Sequence, residues 1–419
     1  MEDQAVEVEV PSYFLCPITL DVMRDPVTLP TGITYDRHAI HRWLRLADGA
    51  TSATCPLTKL PVAPDCEPTP NHTLRRLIHS WCARNPGAAG DSIERISTPP
   101  ASANRARLGL LVPRLADPKK PERETLAALR EIRDVASESE PGRELVAAFP
   151  GATDALFAVL VSTSASSEAD MALDAISSLR LAEPCLVRAV DRDGMALVDA
   201  LVSMLQRDAD AVSRARAAML LADVTACMAP SRASALPEQV FAEAVRLLRE
   251  NDGGASTAAT KAALRVLAGA TSYGRNRIKA AEAGAVAALV EVLLVDGGRR
   301  RAWCELALCA LDRLCGCAEG RAALVAHGAG VAVVGEKLVG TSAAASGKAV
   351  RVLRSVARHA ATAEVVREMV ATGAVTKLCA VAVSPETQER TRERAQETLR
   401  MHAEAWRSSP CIHPNRYPC

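Results

Sequence analysis

The sequence predicts a mostly α protein in which a small α+β module precedes a stack of helical repeats. Three observations carry that prediction. Residues 1–82 hold five of the twelve aromatics (Tyr13, Phe14, Tyr35, Trp43 and Trp81) among turn formers and short apolar runs. Beyond Arg105 the chain turns rich in alanine and leucine, with a dominant helical period. In that second region a short apolar pattern also recurs at a nearly constant interval.

The N-terminal module is legible element by element. Asp25-Pro26 and Pro30-Thr31-Gly32 bracket Val27-Thr28-Leu29, and Ile33-Thr34-Tyr35 follows, which reads as a β-hairpin. Asp36 is placed to cap a helix whose Ile40, Trp43, Leu44 and Ala47 share one face. Asn71, after Pro70, is placed to cap a second helix with Leu74, Leu77, Ile78 and Trp81 on its apolar face.

From Asn85 to Ala103 the composition is that of a linker, with Pro86-Gly87, Gly90 and Pro99-Pro100. The repeats follow. Ala155-Leu156, Ala200-Leu201 and Ala288-Leu289 open copies of A-L-x-x-x-L, and weaker copies open at Ala244-Val245, Ala332-Val333 and Lys377-Leu378. Positions 156, 201, 245, 289, 333 and 378 are separated by 45, 44, 44, 44 and 45 residues. A period of about 40–47 residues is the signature of armadillo or HEAT stacks. Glycine at the helix junctions Gly151-Ala152, Gly284-Ala285, Gly328-Ala329 and Gly373-Ala374 favours armadillo. An array of this kind exposes a long groove. The expected boundaries are a module at 8–84, a linker at 85–104, an armadillo-type α-solenoid at 105–407 and a disordered tail at 408–419 with Pro410, Pro414 and Pro418.

Bulk properties exclude several function classes. A chain of 419 residues exceeds one ordinary core. Fifty basic against 49 acidic residues give a net charge of +1, so neither nucleic acid nor a membrane surface is an expected partner. The acidic start, Met1-Glu2-Asp3 with Glu7 and Glu9, is unlike a signal peptide. The longest apolar run, Ala285 to Val295, contains Glu291 and falls short of a membrane span. Neither prenylation at Cys419 nor myristoylation at Glu2 fits. Thirteen scattered cysteines, with no C-x-x-C, read as reduced thiols of a cytoplasmic or nucleocytoplasmic protein.

The module from Tyr13 to Cys82 is laid out like a zinc-binding RING yet lacks the ligand pairs that a zinc site needs. Thr19 stands where a second ligand to Cys16 would be. Cys16, Cys55, Cys66 and Cys82 fail the ligand spacing even with His38, His41, His72 and His79, so neither metal nor any other cofactor is expected. Hydrogen bonds and ion pairs among groups such as Asp25, Thr31, Asp36 and Arg37 are expected in place of metal, with Cys16 a buried small apolar residue. Cys304, Cys309, Cys315 and Cys317 read as packing residues of an apolar helix, and Arg299-Arg300-Arg301 as a solvated turn.

In order, the module carries C-P-I at Cys16, D-P-V at Asp25, T-G-x-T-Y-D-R from Thr31, Trp43, T-C-P-x-T from Thr54 and P-N-x-x-L-R-x-L-I from Pro70. This set resembles the U-box. With Ser92-Ile93-Glu94-Arg95-Ile96 and the repeats behind it, the whole chain resembles the plant U-box/armadillo group. The fold so implied is a RING-like, zinc-free U-box followed by an armadillo-type α-solenoid.

That resemblance implies a ubiquitin-protein ligase of the RING-like class, which forms no covalent ubiquitin intermediate. The box would recruit a ubiquitin-charged conjugating enzyme, and the groove a protein substrate. By motif, Ile18 is the apolar knob of the first loop, Trp43 the aromatic wall of the helix groove and Pro56 the rigid second-loop contact. In such a hot spot one truncation costs ~2 kcal/mol or more. Lys59 takes the family position of a basic residue that holds ubiquitin and its carrier in a reactive pose, by positioning and electrostatics. Lys keeps the charge but lacks the guanidinium fork. The family also implies a role in plant defence or stress signalling and leaves self-association open. The rival reading is an armadillo scaffold with an inactive box that only binds protein partners.

Overall fold

The computed structural model describes residues 10–47, 54–63, 68–84, 101–116, 121–164, 166–207, 210–250, 257–296 and 301–407. It divides into two compact units, Met1–Thr98 and Pro99–Cys419.

In the first unit, β1 (Pro26–Thr28) and β2 (Thr34–Asp36) form the expected antiparallel hairpin, with Val27 opposite Tyr35. Helix α1 (Arg37–Ala47) follows, and β3 (Thr69–Pro70) pairs with the free edge of β1 before α2 (His72–Arg84). Val27, Tyr35 and Ile40 expose no surface at all and form the centre of the core. Asp36 caps α1, its Oδ1 accepting the His38 N–H at 3.1 Å. Asn71 caps α2 through Oδ1 and the Leu74 N–H at 3.0 Å, while its own N–H donates to Pro26 O at 2.8 Å. Trp43, expected as the aromatic wall of the groove, is 38% exposed, whereas Leu77, expected on the apolar face of α2, is 52% exposed. On α2 the buried stripe runs through Leu74, Ile78 and Trp81, which turns Leu77 outward. The side chain of Ala47 lies outside the described residues.

The second unit opens with α3 (Ala101–Leu115) and α4 (Glu122–Glu138). Helix α3 begins inside the segment expected as linker, because the run from Ala101 to Arg107 holds neither Gly nor Pro and leads directly into the buried Leu108. Residues 85–100 and the expected tail at 408–419 lie outside the described residues, as do Arg299 and Arg300.

Three-helix repeats follow. The first comprises α5 (Glu140–Ala148), α6 (Ala152–Ser162) and α7 (Ser167–Leu179). In the next, one bent helix α8 (Glu183–Gln206) does the work of two, and α9 (Ala211–Cys227) completes the repeat. Then come α10 (Pro230–Ala233), α11 (Glu238–Arg249) and α12 (Thr257–Ala270), followed by α13 (Gly274–Glu282), α14 (Ala285–Asp296) and α15 (Arg301–Leu314). The last two repeats are α16 (Ala318–Ala326), α17 (Gly330–Glu336) and α18 (Ala343–His359), and α19 (Ala363–Ala371), α20 (Ala374–Val383) and α21 (Glu389–Met401). The short α22 (Ala403–Arg407) closes the core with the fully buried Trp406.

The period read in the sequence is the period of burial. Leu156, Leu201, Val245, Leu289, Val333 and Leu378 all fall on the second helix of a unit and are at most 5% exposed. Gly151, Gly284 and Gly373 take left-handed φ values of 78°, 84° and 74° at the turn into that helix, as a residue without a Cβ can. Gly328 does not; there Ala329 caps α17, and His327 Nδ1 accepts the Ala329 N–H. Gly194, which the sequence reading passed over, makes the corresponding bend inside α8 at φ 45°. Third helices lie one against the next from α4 through α7, α9, α12, α15 and α18 to α21. Arginine–carboxylate pairs stitch this layer together: Arg133–Asp174–Arg216, Asp223–Arg265, Asp312–Arg351 and Arg354–Glu397.

The four clustered cysteines of α15 and its C-terminal turn pack as expected. Cys304 and Cys315 are buried, Cys309 and Cys317 half-buried, and burial pushes the Cys315 thiol up to about 12. No single helix among the described residues is long and apolar enough to cross a membrane.

Candidate conjugating-enzyme docking site

Two loops of the first unit are built on one plan. Cys16-Pro17-Ile18-Thr19-Leu20 and Cys55-Pro56-Leu57-Thr58-Lys59 match in the cysteine, the proline and the threonine. Cys16 N donates to Asp21 O at 2.8 Å, and Leu20 N to Cys16 O at 2.8 Å. In the second loop Cys55 N donates to Leu60 O at 2.8 Å, and Lys59 N to Cys55 O at 2.9 Å. Bridges Leu15↔Val22 and Thr54↔Pro61 close the two loops in the same register. The fifth residue of each is left-handed, Leu20 at φ 59° and Lys59 at φ 58°. Such a conformation costs an L residue roughly 1–2 kcal/mol and persists where hydrogen bonds on both sides fix it.

Adjacent residues of β2 anchor both loops. The Asp36 N–H donates to Cys16 Sγ at 3.3 Å, and Tyr35 Oη lies 3.0 Å from Cys55 Sγ. Thr31 Oγ1 donates to the same sulfur at 3.4 Å, and the Leu57 N–H donates to Tyr35 Oη at 3.2 Å. Asp36 Oδ2 also accepts the N–H groups of Arg24 and Asp25 at 2.8 and 3.1 Å, fixing the chain as it leaves the first loop. Asp25 pairs with Arg37 at 2.6 Å and with Arg75 at 3.5 Å, which ties that loop to both helices. Asp25, Thr31, Asp36 and Arg37, the groups expected to replace metal, therefore all take part. Sequence reasoning missed Tyr35 and Cys55, although the doubled C-P-x-T pattern marks Cys55 as the partner of Cys16.

Burial acts to push the Cys55 thiol up, but hydrogen bonds from Thr31, Thr58 and Tyr35 outweigh it and lower the value to about 6. Burial and the same sulfur push the Tyr35 hydroxyl well above its ordinary value. Tyr35 therefore stays protonated and donates to the sulfur. Among the described residues no three His, Cys, Asp or Glu side chains are grouped to hold a metal, and Cys66 lies outside them.

The four expected site residues occupy the surface of this frame. Ile18 is half-buried at the tip of the first loop, its inner side against the core. Pro56 is half-buried and Lys59 exposed on the second loop. Trp43 lies in the open on α1, where its indole N–H donates to Thr54 O at 3.0 Å, pinning ring and second loop together. Lys59 Nζ stands 5.9 Å from the centroid of the same ring, within cation–π range. Trp43, the Pro56 loop and Lys59 thus form one cluster. Leu57 and Leu20, 60% and 73% exposed, add apolar surface that the sequence reading did not pick out. Leu57 occupies the place in its loop that Ile18 holds in the first, and the loop repeat was the signal for it.

A family model of the U-box domain matches residues 10–86, and one of the plant U-box protein ARM repeat region matches residues 111–418. Among curated relatives, E3 ubiquitin-protein ligase PUB23 of Arabidopsis thaliana is 37% identical, with 99% of this chain and 98% of its own length covered. E3 ubiquitin-protein ligase PUB22 of the same plant is 35% identical, with 98% of each covered. A solved structure from work on a phosphorylation switch between cadherin and beta-catenin covers 79% of this chain and 58% of its own, at 16% identity and a TM-score of 0.57. An engineered protein covers 72% and 71% at 22% identity and a TM-score of 0.52. Those two likenesses speak to the fold alone. Matched along nearly its whole length, the chain belongs to the plant U-box/armadillo-repeat family of ubiquitin ligases, transferases of the RING type.

Proposed function

We propose that the box, residues 8–84, docks a ubiquitin-charged conjugating enzyme on Ile18, Trp43 and Pro56, while the array, residues 105–407, presents a protein substrate in its groove. The observation that carries this reading is the exposed Trp43. A tryptophan left 38% open, yet held by a hydrogen bond to the neighbouring loop, is a rigid apolar anchor of the kind that dominates binding hot spots. Lys59 would hydrogen-bond carrier and ubiquitin together and hold the thioester in line for a substrate lysine. The rate gain comes from orientation and charge, with no ubiquitin bound covalently to this chain. Turnover in plant defence or stress signalling, in the cytoplasm, is the setting that this reading adopts from the family; self-association of boxes is compatible with it.

The test is ubiquitin-chain formation by the full chain with a panel of conjugating enzymes. Activity that falls at least tenfold in Ile18→Ala and in Trp43→Ala, with unchanged thermal melts, is the expected result. Absence of chains with every carrier would favour the inactive scaffold.

A further inference from the structure

We infer that the C-terminal end of the third-helix layer is a receptor for an acidic segment of a partner protein, its carboxylate or phosphate groups held by Arg358 and Arg400. An open cleft of roughly 460 Å³ lies there, lined by Ala357, Arg358, Glu397, Arg400, Met401 and His402. Charge balance along the layer singles out this end. Arg133 and Arg216 face Asp174 and Asp134, Arg265 faces Asp223, and Arg351 faces Asp312, so each of those arginines is matched by a carboxylate.

At the last step the count changes. Glu397 is already engaged by Arg354, whose Nε and Nη2 reach its two oxygens at 2.8 and 2.7 Å. Arg358 approaches the same carboxylate only to 3.8 Å and is half exposed. Among the described residues no carboxylate pairs with Arg400. Arg354 and Arg358 therefore share one carboxylate, and Arg400 lies beside them without one. Hydrogen bonds from Arg354, together with the charges of Arg354, Arg358 and Arg394, hold the Glu397 carboxyl below the usual range. The end of α18 and Glu393, one turn before Glu397, bring some negative charge. Part of it is covered, since His402 Nε2 is bonded to Ala357 O at 2.7 Å. Ala357 and Met401 give the cleft an apolar lining suited to the stem of an acidic side chain. A nucleic acid is disfavoured, because a net charge of +1 supplies no extended basic field. The inference deepens the proposed substrate role of the array by naming the chemistry that the array would read.

The experiment is fluorescence anisotropy on the full chain with labelled hexaglutamate, a phosphoserine–glycine peptide of equal length, hexaglutamine and a short single-stranded DNA. The expected result is salt-sensitive binding of an acidic peptide over hexaglutamine, and the preference between the two acidic probes separates carboxylate from phosphate. Binding should weaken about tenfold in R358A/R400A, persist in R358K/R400K and in the remote R107A, and tighten a few-fold in E397Q. Thermal melts exclude unfolding, and the lysine pair retains the test should the alanine pair misfold. Equal binding of hexaglutamine, preference for DNA, or indifference to R358A/R400A would overturn the inference. Ubiquitin transfer is not read in this assay, so an inactive box leaves its outcome unchanged, and a failure here leaves the ligase reading intact.

Discussion

The hydroxyl of Tyr35 lies 3.0 Å from the sulfur of Cys55, in the interior of the box, and its oxygen also accepts the Leu57 N–H at 3.2 Å. One buried side chain thus holds the residues on either side of Pro56. Tyr35→Phe keeps the ring and removes both bonds, leaving the Leu57 amide and the sulfur without this partner. The expected loss of stability is about 1–3 kcal/mol by urea unfolding. Ubiquitin transfer should fall as well, although Tyr35 itself touches no partner. An unchanged transfer rate at reduced stability would show that the second loop holds its shape without this anchor.

The same pair sets a pH dependence. The Cys55 thiol, at about 6 in the folded box against an ordinary 9.0, is depressed, so folding favours its thiolate. Stability from this source is fully present above pH 9 and is lost as pH falls toward about 6. Cys55 exposes no surface, so burial opposes this shift and the hydrogen bonds must outweigh it. His79, held low by burial and then by Arg75, removes stability in the same direction at still lower pH. Hydrogen exchange at the Leu57 amide should therefore slow, relative to intrinsic exchange, as pH rises from 6 to 9. Cys55→Ala should flatten that trend, and a slope that survives the substitution would assign it to another group.

At Lys59, backbone and side chain make separable demands. The left-handed φ of 58° favours glycine, whereas the ammonium over Trp43 favours a cation. Lys59→Gly should stabilise the box by about 1 kcal/mol while reducing ubiquitin discharge from the carrier. Lys59→Arg should leave stability unchanged and raise discharge, since the guanidinium can donate to two acceptors at once. A discharge rate equal to wild type in Lys59→Gly would remove Lys59 from the mechanism and leave the three apolar contacts as the whole site.

Local rules made much of this legible in the sequence. Asp36 and Asn71 cap their helices because an Asx side chain before an apolar helical face has one favourable use. The 44-residue period follows from units that must each bury the same stripe. What was not legible depends on distant contacts. Residues 35 and 55 are neighbours only once β2 and the second loop fold together. Leu77 shares its helical pattern with Leu74 and Ile78, and its exposure reflects what the rest of the box leaves uncovered. The excess of arginine around Glu397 was equally hidden, because Arg354 and Arg358 lie about one repeat earlier in the chain.

Glycine positions in the array offer a test of how the stack transmits strain. At Gly373 the left-handed φ of 74° is the only obstacle to a side chain, since nothing lies within 4 Å of an added Cβ. Gly373→Ala should cost about 1 kcal/mol. At Gly320 an added Cβ would collide with the Leu314 carbonyl oxygen, which belongs to backbone and cannot rotate away. Gly320→Ala must shift α16 bodily, with an expected cost of roughly 3 kcal/mol or more. Because each repeat rests chiefly on its neighbours, the damage should stay local. Hydrogen exchange should quicken in α16 and in α13 and α17, which pack against it, while α6 and α7 keep their protection. Uniform loosening from α4 to α21 would instead mean that the array unfolds as one cooperative block.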